Sequence, residues 1–164
     1  MTTVDELLAK SAICDVQITY CRAIDRMDFD LLRSCFHPEA TTDYGFQKGG
    51  LDDFLAMART SLARFSGTTH FTGNQLVQLR GHSAWAEHYT VATHRCPADE
   101  QGPVRDLITS VRYVDRMEQR QGAWRIATRV LVLDWWRVDP VNDAGEGPQV
   151  TLGQRDRSDA SYHV

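Results

Sequence analysis

Hydrophobic and polar residues recur with two different periods along this chain, and the change falls near residue 68. Residues 4–27 repeat apolar side chains at three- and four-residue intervals without Gly or Pro, which predicts a long helix. Thr3, with Glu6 three positions on, has the composition of a capping box at its start. A shorter helix is expected over 29–36, ending before Pro38 because proline disfavours a helical predecessor. A short strand over 41–44 follows, then Gly49-Gly50 and a third helix over 51–65. From Thr68 the period is two, and 69–79, 83–95, 106–119 and 123–137 read as long, turn-linked strands. With no helices between them they should form an antiparallel sheet, giving an α+β fold.

The last of these strands is apolar on both sides, with Val130 and Val132 on one face and Leu131 and Leu133 on the other. A sheet usually leaves one face to water. The expectation is therefore that one face covers a cavity and the other a second copy of the chain, in a homodimer or homotrimer. The domain would span 1–137, and the Gly/Pro-rich, polar segment 138–164 would be an arm or lid.

Composition narrows the class without naming a chemistry. A length of 164 residues suits one domain, and 42% hydrophobic with 24% charged residues excludes wholesale disorder. A formal charge of -4 argues against nucleic acid as a partner. No apolar run approaches the ~20 residues of a membrane span, and the N-terminus has no secretory apolar core. Cys14, Cys21, Cys35 and Cys96 form no CxxC and suit reduced thiols, so a cytoplasmic location is expected.

Three polar residues stand where apolar ones would be expected. On a wheel at about 100° per residue, Leu7, Ser11, Cys14, Ile18, Cys21 and Asp25 share one stripe of the first helix. A carboxylate on or beside such a stripe needs a partner. Asp25 either pairs locally with Arg22 or Arg26, or reaches into a cavity to orient a base. His70 opens the first long strand, and its imidazole suits proton transfer near neutrality. Arg129 shares a strand face with Ala127, Leu131, Leu133 and Trp135, so it needs an anion, from either a salt bridge or a substrate. Tyr20, five residues before Asp25, has a phenol to offer but points away from Asp25 on the wheel. Phe71, Trp85, Tyr89, Leu131, Trp135 and Trp136 could supply substrate-binding surface or ordinary core. His82, His88 and His94 are six residues apart, roughly 20 Å along a strand, too far to share a metal. No GxSxG, P-loop or GxGxxG occurs.

Tyr20-Cys21-Arg22-Ala23-Ile24-Asp25, Phe36-His37-Pro38-Glu39-Ala40, Asp43-Tyr44-Gly45, Thr69-His70-Phe71 and Trp124-Arg125-Ile126 together resemble the SnoaL-like family of the NTF2-like superfamily. The resemblance covers roughly 4–137. It implies a cone-shaped (cystatin-like) barrel, a curved antiparallel sheet around a deep pocket with three helices. In the dehydratase and dehydrochlorinase branch it also implies cofactor-free proton abstraction. Asp25 and His70 match that branch's dyad, Arg129 its last-strand arginine, and Tyr20 its tyrosine ahead of the aspartate. The expected function is a lyase acting on a small hydrophobic, aromatic or cyclic molecule, without cofactor or metal. Rival readings are an isomerase or a formaldehyde-releasing lyase on lignin-derived aromatics at the same site, or a ligand-binding accessory subunit.

Overall fold

In the computed structural model, which describes residues 2–141 and 150–163, helix α1 (Val4–Asp25) opens the chain. The capping box forms: the Glu6 N–H donates to Thr3 Oγ1 at 3.2 Å and the Thr3 N–H to the Glu6 carboxylate at 2.8 Å. Helix α2 (Phe29–Ser34) starts on Asp28, which accepts the Leu31 N–H. Strands β1 (Phe36–Asp43) and β2 (Lys48–Gly50) precede helix α3 (Leu51–Leu62). Four long strands complete the fold: β3 (Gly67–Arg80), β4 (Ser83–Cys96), β5 (Arg105–Arg120) and β6 (Ala123–Pro140).

The strands form one curved, unclosed sheet in the order β2-β1-β6-β5-β4-β3. Every pairing is antiparallel except β1 with β6, which runs parallel and corrects the all-antiparallel expectation. The parallel pair arises because β1 leaves the helical layer and joins the sheet beside its last strand. β1 also begins at Phe36, five residues before the expected start. Pro38 is accommodated at a register irregularity between Phe36 and Thr41, where the ladder does not need its missing N–H.

The helices cover the concave face, and side chains there lie in rows across the strands. From the narrow end upward, Val77, Ala86, Asp115, Arg129 and Thr42 make one row, and Gln75, His88, Tyr113 and Leu131 the next. Thr72, Thr90, Val111 and Leu133 follow, then His70, Ala92, Thr109 and Trp136. The lower rows are core: Tyr20, Phe36, Phe54, Leu32 and Ile126 all bury there.

Two sequence expectations about packing change. The buried stripe of α1 runs through Ile13, Gln17, Tyr20, Cys21 and Ile24, while Leu7 and Ile18 are more than half exposed. Gln17 lies in the middle of the true stripe, bonded to the Gln75 side chain at 3.0 Å, and its polarity disguises the pattern. The second change is an extra residue, Asp134, in β6. Val111 pairs with Leu133 but Ser110 pairs with Trp135, so the bulge switches the alternation and turns Trp135 to the outer face.

The C-terminal residues 150–163 fold back over the end of α1. The Tyr162 hydroxyl donates to Asp28 at 3.0 Å, Arg26 pairs with Asp159 at 3.2 Å, and Arg22 donates to the Ser161 carbonyl. No helix among the described residues is long and apolar enough to cross a membrane.

Candidate active site

Asp25 is the last residue of α1 and lies against β3, an edge strand with one side of its backbone unpaired. The carboxylate takes the place of a neighbouring strand there. One oxygen accepts the His70 backbone N–H at 2.8 Å, and the other lies 2.7 Å from His70 Nδ1. The pair is enclosed, with side-chain exposures of 11% for Asp25 and 5% for His70. The local alternatives for Asp25 are otherwise engaged: Arg26 pairs with Asp159, and Arg22 stacks on Tyr162. A carboxylate on Nδ1 fixes the proton on that nitrogen and leaves Nε2 as the basic one.

His70 opens onto a cavity of about 470 Å³ between α1, α3 and the concave sheet face. Tyr20, Phe54, Met57, Leu62, Val111, Leu131 and Leu133 contribute to a mostly apolar wall. A second imidazole, His94, also lines it, edge-on to His70 with ring centroids 5.4 Å apart. Burial, aided by the neighbouring His70, lowers its pKa to about 4, so it is neutral near pH 7. The sequence left the place of His88 and His94 open. His94 reaches the cavity, whereas His88 lies fully buried beneath it, stacked on Tyr113 with both ring nitrogens unbonded among the described residues.

At the cavity floor Tyr20 and Tyr44 share a 2.7 Å hydroxyl–hydroxyl bond, and the Tyr113 ring packs 5.4 Å from that of Tyr20. Since one phenol donates to the other, one phenolic proton is left for a third oxygen. Sequence reasoning found Tyr20 and missed Tyr44 and Tyr113. The alternation of β1 and β5 was the available signal.

Arg129 departs from the expected arrangement. It is completely buried, and its guanidinium meets the Asp115 carboxylate through two 2.7 Å bonds. These residues face each other across β5 and β6, so the anion Arg129 requires comes from the adjacent strand. The guanidinium also lies 4.0 Å from the Tyr20 ring centroid and 4.4 Å from that of Tyr113. Ala86 of its row and Ala92 of the His70 row are six residues apart on β4, about 20 Å at the usual rise. Arg129 therefore supports the floor phenols from below and is not on the cavity wall.

The aromatic lining expected from the sequence is also corrected. Leu131 does line the cavity, but Phe71, Trp85, Tyr89 and Trp135 lie on the outer face, 74%, 47%, 43% and 45% exposed. Strand alternation sends Phe71 outward because His70 points inward, and the Asp134 bulge does the same for Trp135. The aromatic rings that face the cavity are Tyr20, Tyr44, Phe46, Phe54, Phe65 and Tyr113.

A family model of the SnoaL-like domain matches residues 5–130. The chain belongs to the SnoaL-like family. Its fold is shared by solved structures, one of them described as having a cystatin-like fold. A protein of unknown function from Mycobacterium tuberculosis is 25% identical with a TM-score of 0.67, the match covering 79% of this chain and 74% of that one. A candidate scytalone dehydratase from Novosphingobium aromaticivorans is 21% identical, with a TM-score of 0.73 over 87% of this chain and 97% of that one. The hexachlorocyclohexane dehydrochlorinase LinA-type3 from Novosphingobium barchaimii is 15% identical, with a TM-score of 0.74 over 88% and 98%. No curated protein matches the sequence.

Proposed function

We propose that this SnoaL-like protein is a cofactor-independent lyase in which His70 removes a proton from carbon. The observation that carries the reading is the doubly bonded Asp25 carboxylate on His70, whose ring lines a mostly apolar cavity. A buried Asp–His pair on an edge strand has a structural use, but that use does not require the imidazole to line a cavity.

His70 Nε2 takes the proton of an acidified C–H, and Asp25 stabilises the imidazolium formed. The C–H electron pair becomes a new double bond as a hydroxyl on the adjacent carbon departs. The proton passes back from His70 to that hydroxyl, so the products are an alkene and water. A phenol of the Tyr20–Tyr44 pair donates to the negative charge developing on a substrate oxygen. The rows of His70 and Tyr113 are four residues apart on β4, about 13 Å, which suits a flat body of two or three rings.

The test is a screen of aromatic and cyclic alcohols and lignin-type dimers without added cofactor, read by mass spectrometry. Loss of water supports dehydration, while loss of formaldehyde would redirect the same dyad to carbon–carbon cleavage. His70→Ala should abolish turnover while probe affinity stays within about tenfold, and Asp25→Asn should slow it by roughly 10²-fold or more. Turnover unchanged in His70→Ala would refute the assignment of the base, and no turnover of any compound by the parent protein would favour a binding module.

A further inference from the structure

Among the described residues, the wall of the cavity carries one permanent charge. None of the described residues that line it is Asp or Glu, and Arg64, just beyond the C-terminal end of α3, supplies the single arginine. Its two histidines are enclosed, one of them bonded to Asp25. Most arginines of this protein are matched to carboxylates, as in Arg26–Asp159, Arg33–Asp52, Arg105–Asp99, Arg112–Asp134 and Arg157–Asp28. Arg64 has no carboxylate partner among the described residues. Its polar contact is a long 3.5 Å bond from Nε to the Ser61 carbonyl, and its guanidinium lies 5.9 Å from the Phe65 ring centroid.

The surroundings of Arg64 are those of an entrance. Phe46, 79% exposed, and Leu133, 50% exposed, line the same cavity near solvent, whereas Phe54 and Tyr20 at the other end are buried. The site is thus polarised: an apolar interior with phenols at the floor, and an uncompensated cation at the mouth. An apolar mouth lowers the local dielectric, so an anion held there interacts more strongly than at an open surface.

We infer that the cavity selects amphipathic acids, molecules with an apolar ring body and a carboxylate or sulfonate that remains at the mouth on Arg64. The inference rests on the cavity being the substrate site proposed above, and it adds the chemical class of the substrate. The anion anchors one end, the ring body fills the space past Phe65 and Leu131, and the carbon beside His70 is fixed by the length between them. Arg64 touches substrate in this arrangement as a specificity residue and takes no proton.

The test uses two unreactive probes of the same shape, 2-naphthoate and 2-naphthamide, titrated into the ¹⁵N-labelled protein at low salt. Amide shifts at His70, His94 and Leu131 should place both probes in the cavity. Naphthoate should bind about threefold to tenfold tighter than the amide, the range expected for one partly screened ion pair. The ratio should fall to within twofold in Arg64→Gln, stay near the parent value in Arg64→Lys, and shrink at 0.5 M salt. An unchanged ratio in Arg64→Gln, or naphthoate shifts confined to the outer sheet face, would overturn the inference. If Arg64 served only to hold the Ser61 carbonyl, Arg64→Gln would lower the melting temperature and leave the ratio alone. Because the probes are not turned over, the result is independent of whether the protein is a lyase.

Discussion

Asp115→Asn isolates what Arg129 does, because it removes one charge from a fully enclosed pair while keeping its shape. Both side chains are wholly inaccessible, and the two bonds between them are 2.7 Å each. Asparagine can still accept one of those bonds, but it leaves the guanidinium without a counter-charge between the rings of Tyr20 and Tyr113. Breaking a buried pair by removing one partner costs about 3–5 kcal/mol. The cation–π contacts offset about 1–2 kcal/mol at most and are present in both proteins, so they do not reduce the difference. Against a total stability of roughly 5–15 kcal/mol, the variant should lose a large fraction. Its melting temperature should fall by about 6–20 °C. Urea denaturation followed by the fluorescence of the tryptophans, buried Trp124 among them, measures the loss directly. Replacing both partners, Asp115→Leu with Arg129→Met, should recover most of it, because no charge is then left buried. A loss below about 1 kcal/mol in Asp115→Asn would refute the reasoning. It would mean that the guanidinium finds its anion elsewhere, and the floor phenols would be the place to look.

Two other outcomes follow from buried and exposed groups outside the dyad itself. His88 and His94 are held neutral by burial, with pKa values lowered to about 3 and about 4. In the unfolded chain they bind protons below about pH 6.5, so unfolding takes up protons that the native state refuses. Stability should fall as pH drops from about 6.5 towards 4, by about 1.4 kcal/mol per unit per histidine once the unfolded chain is protonated, and His88→Leu should make the slope shallower by about one proton. Equal slopes in the two proteins would contradict the burial of a neutral His88. The sequence expects one face of the last strand to meet a second copy of the chain; the outer face of β6 carries Val130 and Val132, and Phe71, Leu76, Val91 and Trp135 extend apolar surface across that side of the sheet. Sedimentation should then show a dimer or trimer that Trp135→Glu with Phe71→Glu converts to a monomer, and a monomeric parent protein would refute it.

The sequence was most informative where one residue contradicts its surroundings. Asp25 at the end of an apolar helix and His70 at the start of a strand are individually ambiguous, and their 45-residue separation hides the contact. Their pairing became readable only through resemblance to a family in which two such positions meet. Arg129 shows the converse. The same oddity, a cation among apolar neighbours, had two solutions, and only the register of β5 against β6 reveals that Asp115 is the anion. A register cannot be read from one strand alone.

The misplaced aromatic lining has two physical causes: Phe71, Trp85 and Tyr89 lie out of phase with the inward His70 and His88 by simple alternation, and Trp135 lies beyond a bulge. Face assignment by alternation holds until an extra residue enters a strand, and every residue beyond it changes sides. Asn74 in β3 and Asp134 in β6 are both such residues, since Gly73 pairs with Tyr89 while Gln75 pairs with His88, and Ser110 with Trp135 while Val111 pairs with Leu133. Gly73 beside Asn74 marks the first of them in the sequence, whereas no glycine accompanies Asp134. The consequence for function is large. Moving Trp135 and Phe71 outward leaves the cavity to phenols, phenylalanines, leucines and two imidazoles, with Arg64 the sole permanent charge among the described lining residues. A site lined by indoles would choose substrates by stacking area. One with polar groups at its two ends and apolar walls between them chooses by length and by the position of charge. That geometry makes the identity of the acid a question of where its anion lies relative to the carbon that loses a proton.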